Sequence, residues 1–292
     1  DEYREQRRGG VGKAGASVKE EDLIQNLYVL SSHSQLLCFT TKGKVFWLKV
    51  YEIPVASRTS KGRPLVNMLK LDDDETVTQI LPVDEFSEDK FIFMATRNGV
   101  VKKTNLNLFH KKYKSGIKAI RLDDDDKLVG TVITNGDSDI LLSSYSGKLI
   151  RFHESKVRPM GRTARGVKGI TLKDDMKVIS LMIGDPSKTI LCLSENGYGK
   201  RTKLEDFPSY NRGGQGVIAL KTSDRNGNMV SAVAVDENDG IMLISDKGPL
   251  IRTAISQIPT LGRNTQGVKV ISPKDGEKLI EGVRIPPEEE EE

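Results

Sequence analysis

The sequence predicts an all-β chain built from four-stranded, propeller-like blades. Three observations predict it. Glycine-centred segments recur about every 50 residues along the 292-residue chain. Apolar runs meet Gly-centred turns at the same period. The composition is 37% hydrophobic but only 5% aromatic, with 27 Gly, so the core must come from Val, Ile and Leu, which suit strands.

The hairpin segment recurs five times, as an apolar run, a Gly turn and a second β-rich strand. The copies are 36–54 (LLCFTTKGKVFWLKVYEIP), 91–109 (FIFMATRNGVVKKTNLNLF), 140–158 (ILLSSYSGKLIRFHESKVR), 190–208 (ILCLSENGYGKRTKLEDFP) and 241–259 (IMLISDKGPLIRTAISQIP). Their turn glycines are Gly43, Gly99, Gly147, Gly197 and Gly248. A short apolar strand, a glycine and a second strand read as a hairpin.

A second segment follows each hairpin: basic residues beside Gly, a short alternating strand, an acidic turn and another strand. Its glycines are Gly62, Gly116, Gly166, Gly216 and Gly267, and the N-terminal stretch 6–27 fits the same template with Gly12 in register. Successive spacings are 50, 54, 50, 50 and 51 residues. Two hairpins per period make a four-stranded unit, the pattern of propeller blades, and stacked units share one continuous core. Helical periodicity of useful length is missing from both segments. The count is asymmetric, with six basic-Gly segments and five hairpins. Either the sixth hairpin lies upstream in a longer parent, as a start at Asp1 without Met suggests, or the first blade is built differently. One domain is expected over 1–285, with 286–292 leaving the fold as a disordered glutamate tail.

The formal net charge is +4, but the charges are segregated. Acidic residues gather at 72–75, 123–126 and 288–292, and without that tail the balance would be +9. Cys38 and Cys192 sit inside apolar runs and read as buried thiols of a reducing cytoplasm. Neither a membrane-spanning stretch nor a signal peptide is visible, so a cytoplasmic location is expected.

Catalytic constellations are missing. His33, His110 and His153 fall at unlike places in their repeats, and CxxC, HExxH, P-loop and GxSxG motifs are absent. The 123–126 run lacks the alternation of a calcium loop and reads as a solvated hairpin tip, and His110 reads as a solvated loop residue beside Lys111 and Lys112. No catalytic residue, metal site or cofactor is expected in this chain.

The basic-Gly segments carry the functional signal. The cations around the six glycines are Arg7, Arg8 and Lys13; Arg58, Lys61 and Arg63; Lys111, Lys112, Lys114 and Lys118; Arg162, Arg165 and Lys168; Arg212; and Arg263 and Lys269. Equivalent positions of successive blades lie on one ring, so a loop repeated every 50 residues becomes a band of positive charge. A neighbouring Gly lets a backbone N–H approach a phosphate. Aromatic residues are not interleaved with these charges, which disfavours single-strand stacking and favours duplex DNA held through its phosphates without base readout.

One segment is more specific. Gln6-Arg7-Arg8-Gly9-Gly10-Val11-Gly12 resembles the signature box of the DNA gyrase A family: Gln, two basic residues, two Gly, a basic residue and Gly. Stretches such as 93–96, 197–202 and 262–268 resemble the same family, and the likeness runs over essentially the whole chain. The resemblance implies a six-bladed β-pinwheel whose neighbouring blades exchange strands, and which wraps duplex DNA around its rim. It implies an accessory domain that directs strand passage toward negative supercoiling. The partners implied are the upstream part of the gyrase A protein and the gyrase B protein; ATP and Mg²⁺ would be used elsewhere in the holoenzyme. The box maps onto Gln6, Arg7, Arg8, Gly9, Gly10 and Gly12, with Lys13 just past it. Val11 stands where the family has a third basic residue, so either the local grip is weaker or Lys13 compensates. The acidic tail resembles tails that modulate wrapping in some relatives.

Two other readings stay open. A topoisomerase IV-type domain would sense DNA geometry without strong wrapping, and such domains generally lack the intact box. A propeller that binds acidic proteins or anionic glycans would use the same basic rim.

Overall fold

A computed structural model describes residues 5–6, 34–49, 65–248 and 250–288. The N-terminal strand is β1 (Glu5–Gln6). The first repeat supplies a hairpin, β2 (Gln35–Thr40) and β3 (Lys44–Lys49), and an inner strand, β4 (Val77–Val83). The second supplies β5 (Phe91–Thr96), β6 (Val100–Asn105), the two-residue β7 (Ile117–Lys118) and the inner β8 (Leu128–Thr134). The third has β9 (Asp139–Ser144), β10 (Lys148–His153), β11 (Val167–Lys168) and β12 (Val178–Gly184). The fourth has β13 (Thr189–Ser194), β14 (Tyr198–Lys203), β15 (Val217–Ile218) and β16 (Met229–Val235). The fifth has β17 (Gly240–Ser245), β18 (Leu250–Ala254), β19 (Val268–Lys269) and β20 (Leu279–Ile285).

These strands form five four-stranded sheets of one design: β4-β2-β3-β7, β8-β5-β6-β11, β12-β9-β10-β15, β16-β13-β14-β19 and β20-β17-β18-β1. Each hairpin pairs inward with the long strand of its own repeat. In the first four sheets the outer strand pairs antiparallel with a two-residue strand donated by the next repeat, as Lys44–Val45 does with Lys118–Ile117. Strand exchange between neighbours is therefore present. The expected six blades are five among the described residues. Six was the number that the family resemblance implied, whereas each described sheet is built on one of the five hairpins. The first basic-Gly segment adds its strand to the fifth sheet, with Glu5 and Gln6 parallel to Arg252 and Thr253.

The first strand of every hairpin is buried on both faces, which explains its unbroken apolar run. One side of β5 (Ile92, Met94) packs with Leu37 and Phe39 of the first blade; the other (Phe93, Ala95) packs with Ile140 and Leu142 of the third. Leu141 with Ile190 and Cys192, and Leu191 with Ile241 and Leu243, continue the series. Cys38 and Cys192 are free and buried, with thiols pushed up to about 12 by desolvation. The inner strands line an open central cavity of about 810 Å³.

The acidic runs are not wholly solvated tips. Their last residues turn inward: Glu75 is 2% exposed and accepts from Thr40 Oγ1 and from Asp72 N–H, while Asp126 accepts from Asn98 N–H. A carboxylate there satisfies amides and hydroxyls of the hairpin end, which a side chain in water would leave unpaired.

Candidate nucleic-acid interface

The Gly166, Gly216 and Gly267 loops are each placed by the outer strand of the preceding blade and enter through one parallel bridge: Lys103 with Pro159, Arg151 with Ser209, Arg201 with Thr260. The bridging residue stands seven positions before the loop glycine in each case, and Glu5 stands seven before Gly12 in the same parallel pairing with Arg252. Glu5 and Gln6 thus pair with the fifth blade in the register of those bridges. The loop glycines sit where no side chain fits. Gly216 has φ +75°, and a Cβ there would lie 2.5 Å from the Leu149 carbonyl oxygen; the matching distance at Gly267 is 2.5 Å, to Gly199 O.

The loops also touch one another. Arg121 N–H donates to Ala164 O at 3.1 Å, Thr171 N–H to Gly214 O at 2.8 Å and Lys221 N–H to Thr265 O at 2.9 Å. Thr171 Oγ1 adds a bond to Gly213 O at 2.6 Å. The segments around Gly116, Gly166, Gly216 and Gly267 are therefore one continuous hydrogen-bonded band across successive blades.

Of the expected DNA-binding residues, Lys111, Lys112, Lys114, Lys118, Lys168 and Lys269 are exposed on this band. Lys118, Lys168 and Lys269 occupy the same position, the second residue of the donated strand. Lys118 lies directly across from Lys44, a like-charge pair that is unfavourable unless an anion bridges it. Arg162, Arg212 and Arg263 share another position, four before the loop glycine, and are half-buried. Arg212 spends donors on Lys156 O and Lys168 O, and Arg263 on Ile218 O, so they build the band from within. Arg165 makes a two-pronged pair with Asp123, at 2.9 and 2.6 Å, which holds that carboxyl below its usual range. Gln6 pairs through its backbone on β18. Arg7, Arg8, Gly9, Gly10, Gly12, Lys13, Arg58, Lys61 and Arg63 lie outside the described residues.

Sequence reasoning missed several members. Arg121 and Lys221 are exposed on the band, at a loop position where the period could have found them. Tyr113 and Tyr210 are exposed among the cations at 40% and 51%, so aromatic groups do interleave with the charge. Arg225 lies 4.6 Å from the Tyr198 ring centroid and Lys269 5.7 Å; the hydrogen bond from Arg225 lowers the Tyr198 hydroxyl pKa. His110 is exposed and bonds the Asn107 carbonyl. Among the described residues no cluster of His, Cys, Asp or Glu could hold a metal ion, and no helix is long and apolar enough to cross a membrane.

Comparison with known proteins agrees with this architecture. The family described as DNA gyrase C-terminal domain, beta-propeller, matches residues 1–31, 34–84, 90–135, 138–185, 188–236 and 241–283. The DNA gyrase A protein of Salmonella typhimurium is 47% identical over 279 residues, 96% of this chain, and that of Escherichia coli K12 is 46% identical over the same length. The chain spans 32% of the length of each of these relatives. Among solved structures, a DNA gyrase A C-terminal domain superposes with a TM-score of 0.80 at 25% identity, covering 98% of this chain and 94% of its own. The C-terminal domain of a DNA topoisomerase IV gives 0.81 at 26% identity, covering 92% and 84%. The chain belongs to the DNA gyrase A C-terminal β-propeller family.

Proposed function

We propose that this chain binds duplex DNA without sequence readout along its basic band, and bends the duplex around the blades. Within a gyrase it would act as a non-catalytic domain beside the upstream regions of the gyrase A protein and the gyrase B protein, in the bacterial cytoplasm. There it would direct ATP-driven strand passage toward negative supercoiling, with nucleotide and Mg²⁺ held elsewhere. The observation that carries this reading is the chain of hydrogen-bonded loops, which places exposed cations on consecutive blades.

Besides Arg165, which Asp123 holds, eight exposed cations line the described part of the band: Lys111, Lys112, Lys114, Lys118, Arg121, Lys168, Lys221 and Lys269. Phosphate contacts on that scale make affinity fall ~10³–10⁵-fold between 50 and 200 mM salt. They also suffice for bending, since curving 20–30 base pairs through 40–90° costs about 1–6 kcal/mol. The test is topological. A nicked circle ligated with the protein present should retain supercoils of one sign after deproteinisation; relaxed circles at saturating protein would sink the wrapping reading.

The likeness to the topoisomerase IV domain supports a second reading, a geometry-sensing surface that does not wrap. Duplex length separates the two. Wrapping needs a long duplex for full affinity, whereas a local contact saturates with a short one.

A further inference from the structure

Two blades bury a lysine where the others bury a hydrocarbon. Three residues after the hairpin glycine stand Phe46, Lys102, Ile150, Lys200 and Ile251, all buried, with Lys102 and Lys200 at 0% exposure. Lys102 Nζ donates to the carbonyl oxygens of Ala119 (2.5 Å), Gly161 (2.9 Å) and Arg162 (2.8 Å). Lys200 Nζ donates to Gly262 O (2.7 Å), Arg263 O (2.5 Å) and Thr265 Oγ1 (2.9 Å). Three acceptors match the three N–H groups of an ammonium, one more than a neutral amine can serve.

The acceptors belong to the basic loops. The loops over the lysines read Gly-Arg-Thr-Ala-Arg-Gly (161–166) and Gly-Arg-Asn-Thr-Gln-Gly (262–267). The loops over hydrocarbon differ: Lys-Lys-Tyr-Lys-Ser-Gly (111–116), whose glycine meets the Phe46 ring, and Asn-Arg-Gly-Gly-Gln-Gly (211–216), whose Gly214 faces Ile150. Loop sequence and the residue beneath it change together. Moving either Gly-Arg loop would strip a buried ammonium of its acceptors, an unfavourable state for a charge away from water.

We infer that Lys102 and Lys200 are positioning residues for the DNA-facing loops 161–166 and 262–267, and that their ammonium charges act on DNA phosphate from behind those loops. This rests on the DNA-binding reading above. A charge held inside protein is screened less by salt than one in water. Burial, and then the Arg162 charge, push Lys102 down to about 7. Burial pushes Lys200 down to about 8, with Arg263 adding to the shift and Asp206 and Cys192 opposing it. A phosphate docked on either loop favours the charged form, so binding draws protons onto the protein at neutral pH. Half a unit of upward shift on one lysine is about threefold in affinity between low and high pH.

The experiment measures affinity for a long duplex at fixed salt from pH 6.5 to 8.5. Proton uptake on binding is measured by calorimetry in two buffers of different ionisation enthalpy. His110 lies beside the band, and Glu281 lines the central cavity with a carboxyl raised to about 7 by burial, so the background carries His110→Gln and Glu281→Gln. In that background affinity should fall several-fold with rising pH, with net proton uptake. Lys102→Met/Lys200→Met should bind more weakly and flatten the profile. Duplex binding with no proton uptake and a flat profile in the background chain overturns the inference, even if the double variant does not fold. A folded double variant with unchanged affinity and pH profile also overturns it. Failure of the unmodified chain to bind duplex at any pH would instead remove the DNA-binding reading on which it rests.

Discussion

Replacing Lys118, Lys168 and Lys269 together with Ala removes one exposed charge from the same position in three loops of the band. All three sit on exposed strand ends, so each change should alter folding stability by no more than about 0.5 kcal/mol. Their effect on duplex binding is calculable. Each phosphate contact contributes about 0.9 to the slope of log affinity against log salt, so losing three makes the slope shallower by about 2.7. Extrapolated from 1 M, that is a loss of about two orders of magnitude at 150 mM salt and about three and a half at 50 mM. A matched control exists in Lys127, Lys177 and Lys278, also exposed and also at one repeated position, just before the inner strands at the mouth of the central cavity. The assay is fluorescence anisotropy on a long duplex across a salt series, with urea unfolding to confirm equal stability. The control triple should keep nearly the parent slope. If both triples lose the same affinity, net charge alone governs binding and the band has no special place. If the band triple keeps its slope, those lysines do not meet phosphate.

Other changes test the scaffold. Gly216→Ala forces a Cβ to within 2.5 Å of the Leu149 carbonyl at a φ of +75°, so urea denaturation should show a loss of about 1–3 kcal/mol or more. Glu154 is fully buried and accepts from Thr134 Oγ1 and Ser138 N–H while pairing with Lys103 at 3.5 Å, so Glu154→Ala leaves a nearly buried lysine unpaired and should cost about 3–5 kcal/mol by the same measurement. The buried lysines set a pH dependence of stability. Their folded pKa values, about 7 for Lys102 and about 8 for Lys200, lie below the ordinary 10.5, so between those values the unfolded chain binds more protons than the folded one. Stability attributable to them should therefore rise with pH from about 7 to 10.5 and be smallest below 7. Thermal unfolding of the parent and of Lys102→Met/Lys200→Met across that window should show the parent gaining on the variant.

How much of this was legible in the sequence follows from what periodicity can carry. The hairpins were visible because strands buried on both faces have continuous apolar runs, and each glycine at a turn or loop marks a backbone conformation that side chains disfavour. The positions of the exposed lysines were visible for the same reason. The inward turn of Glu75 and Asp126 was not, because a carboxylate that caps a hairpin has the same letter as one in water. Nor was the division of labour among the arginines. Arg165 reads as another cation until Asp123, 42 residues earlier, is seen to hold it. Lys102 and Lys103 are adjacent cations in the sequence, yet Lys102 turns to the loop oxygens and Lys103 to Glu154. Alternation along a strand separates such neighbours, but only the fold says that both sides are interior.

The blade count shows the same limit at the level of topology. The family resemblance implied six blades, whereas counting hairpins leads to five. Sequence order alone does not say which segment completes which sheet. In four of the five sheets the outer hairpin strand takes its fourth strand from the repeat that follows: β7 on β3, β11 on β6, β15 on β10 and β19 on β14. The fifth sheet takes β1 from the other end of the chain instead, in the parallel register that Pro159, Ser209 and Thr260 use in the inner blades. The Gln6 segment that most resembles the family signature is thus also the one that joins the first and last parts of the chain. A substitution there would bear on two things, the charge of the segment and the Glu5–Gln6 strand that completes this sheet. Separating them requires a variant that changes charge while leaving the backbone pairing of Glu5 and Gln6 with Arg252 and Thr253 in place.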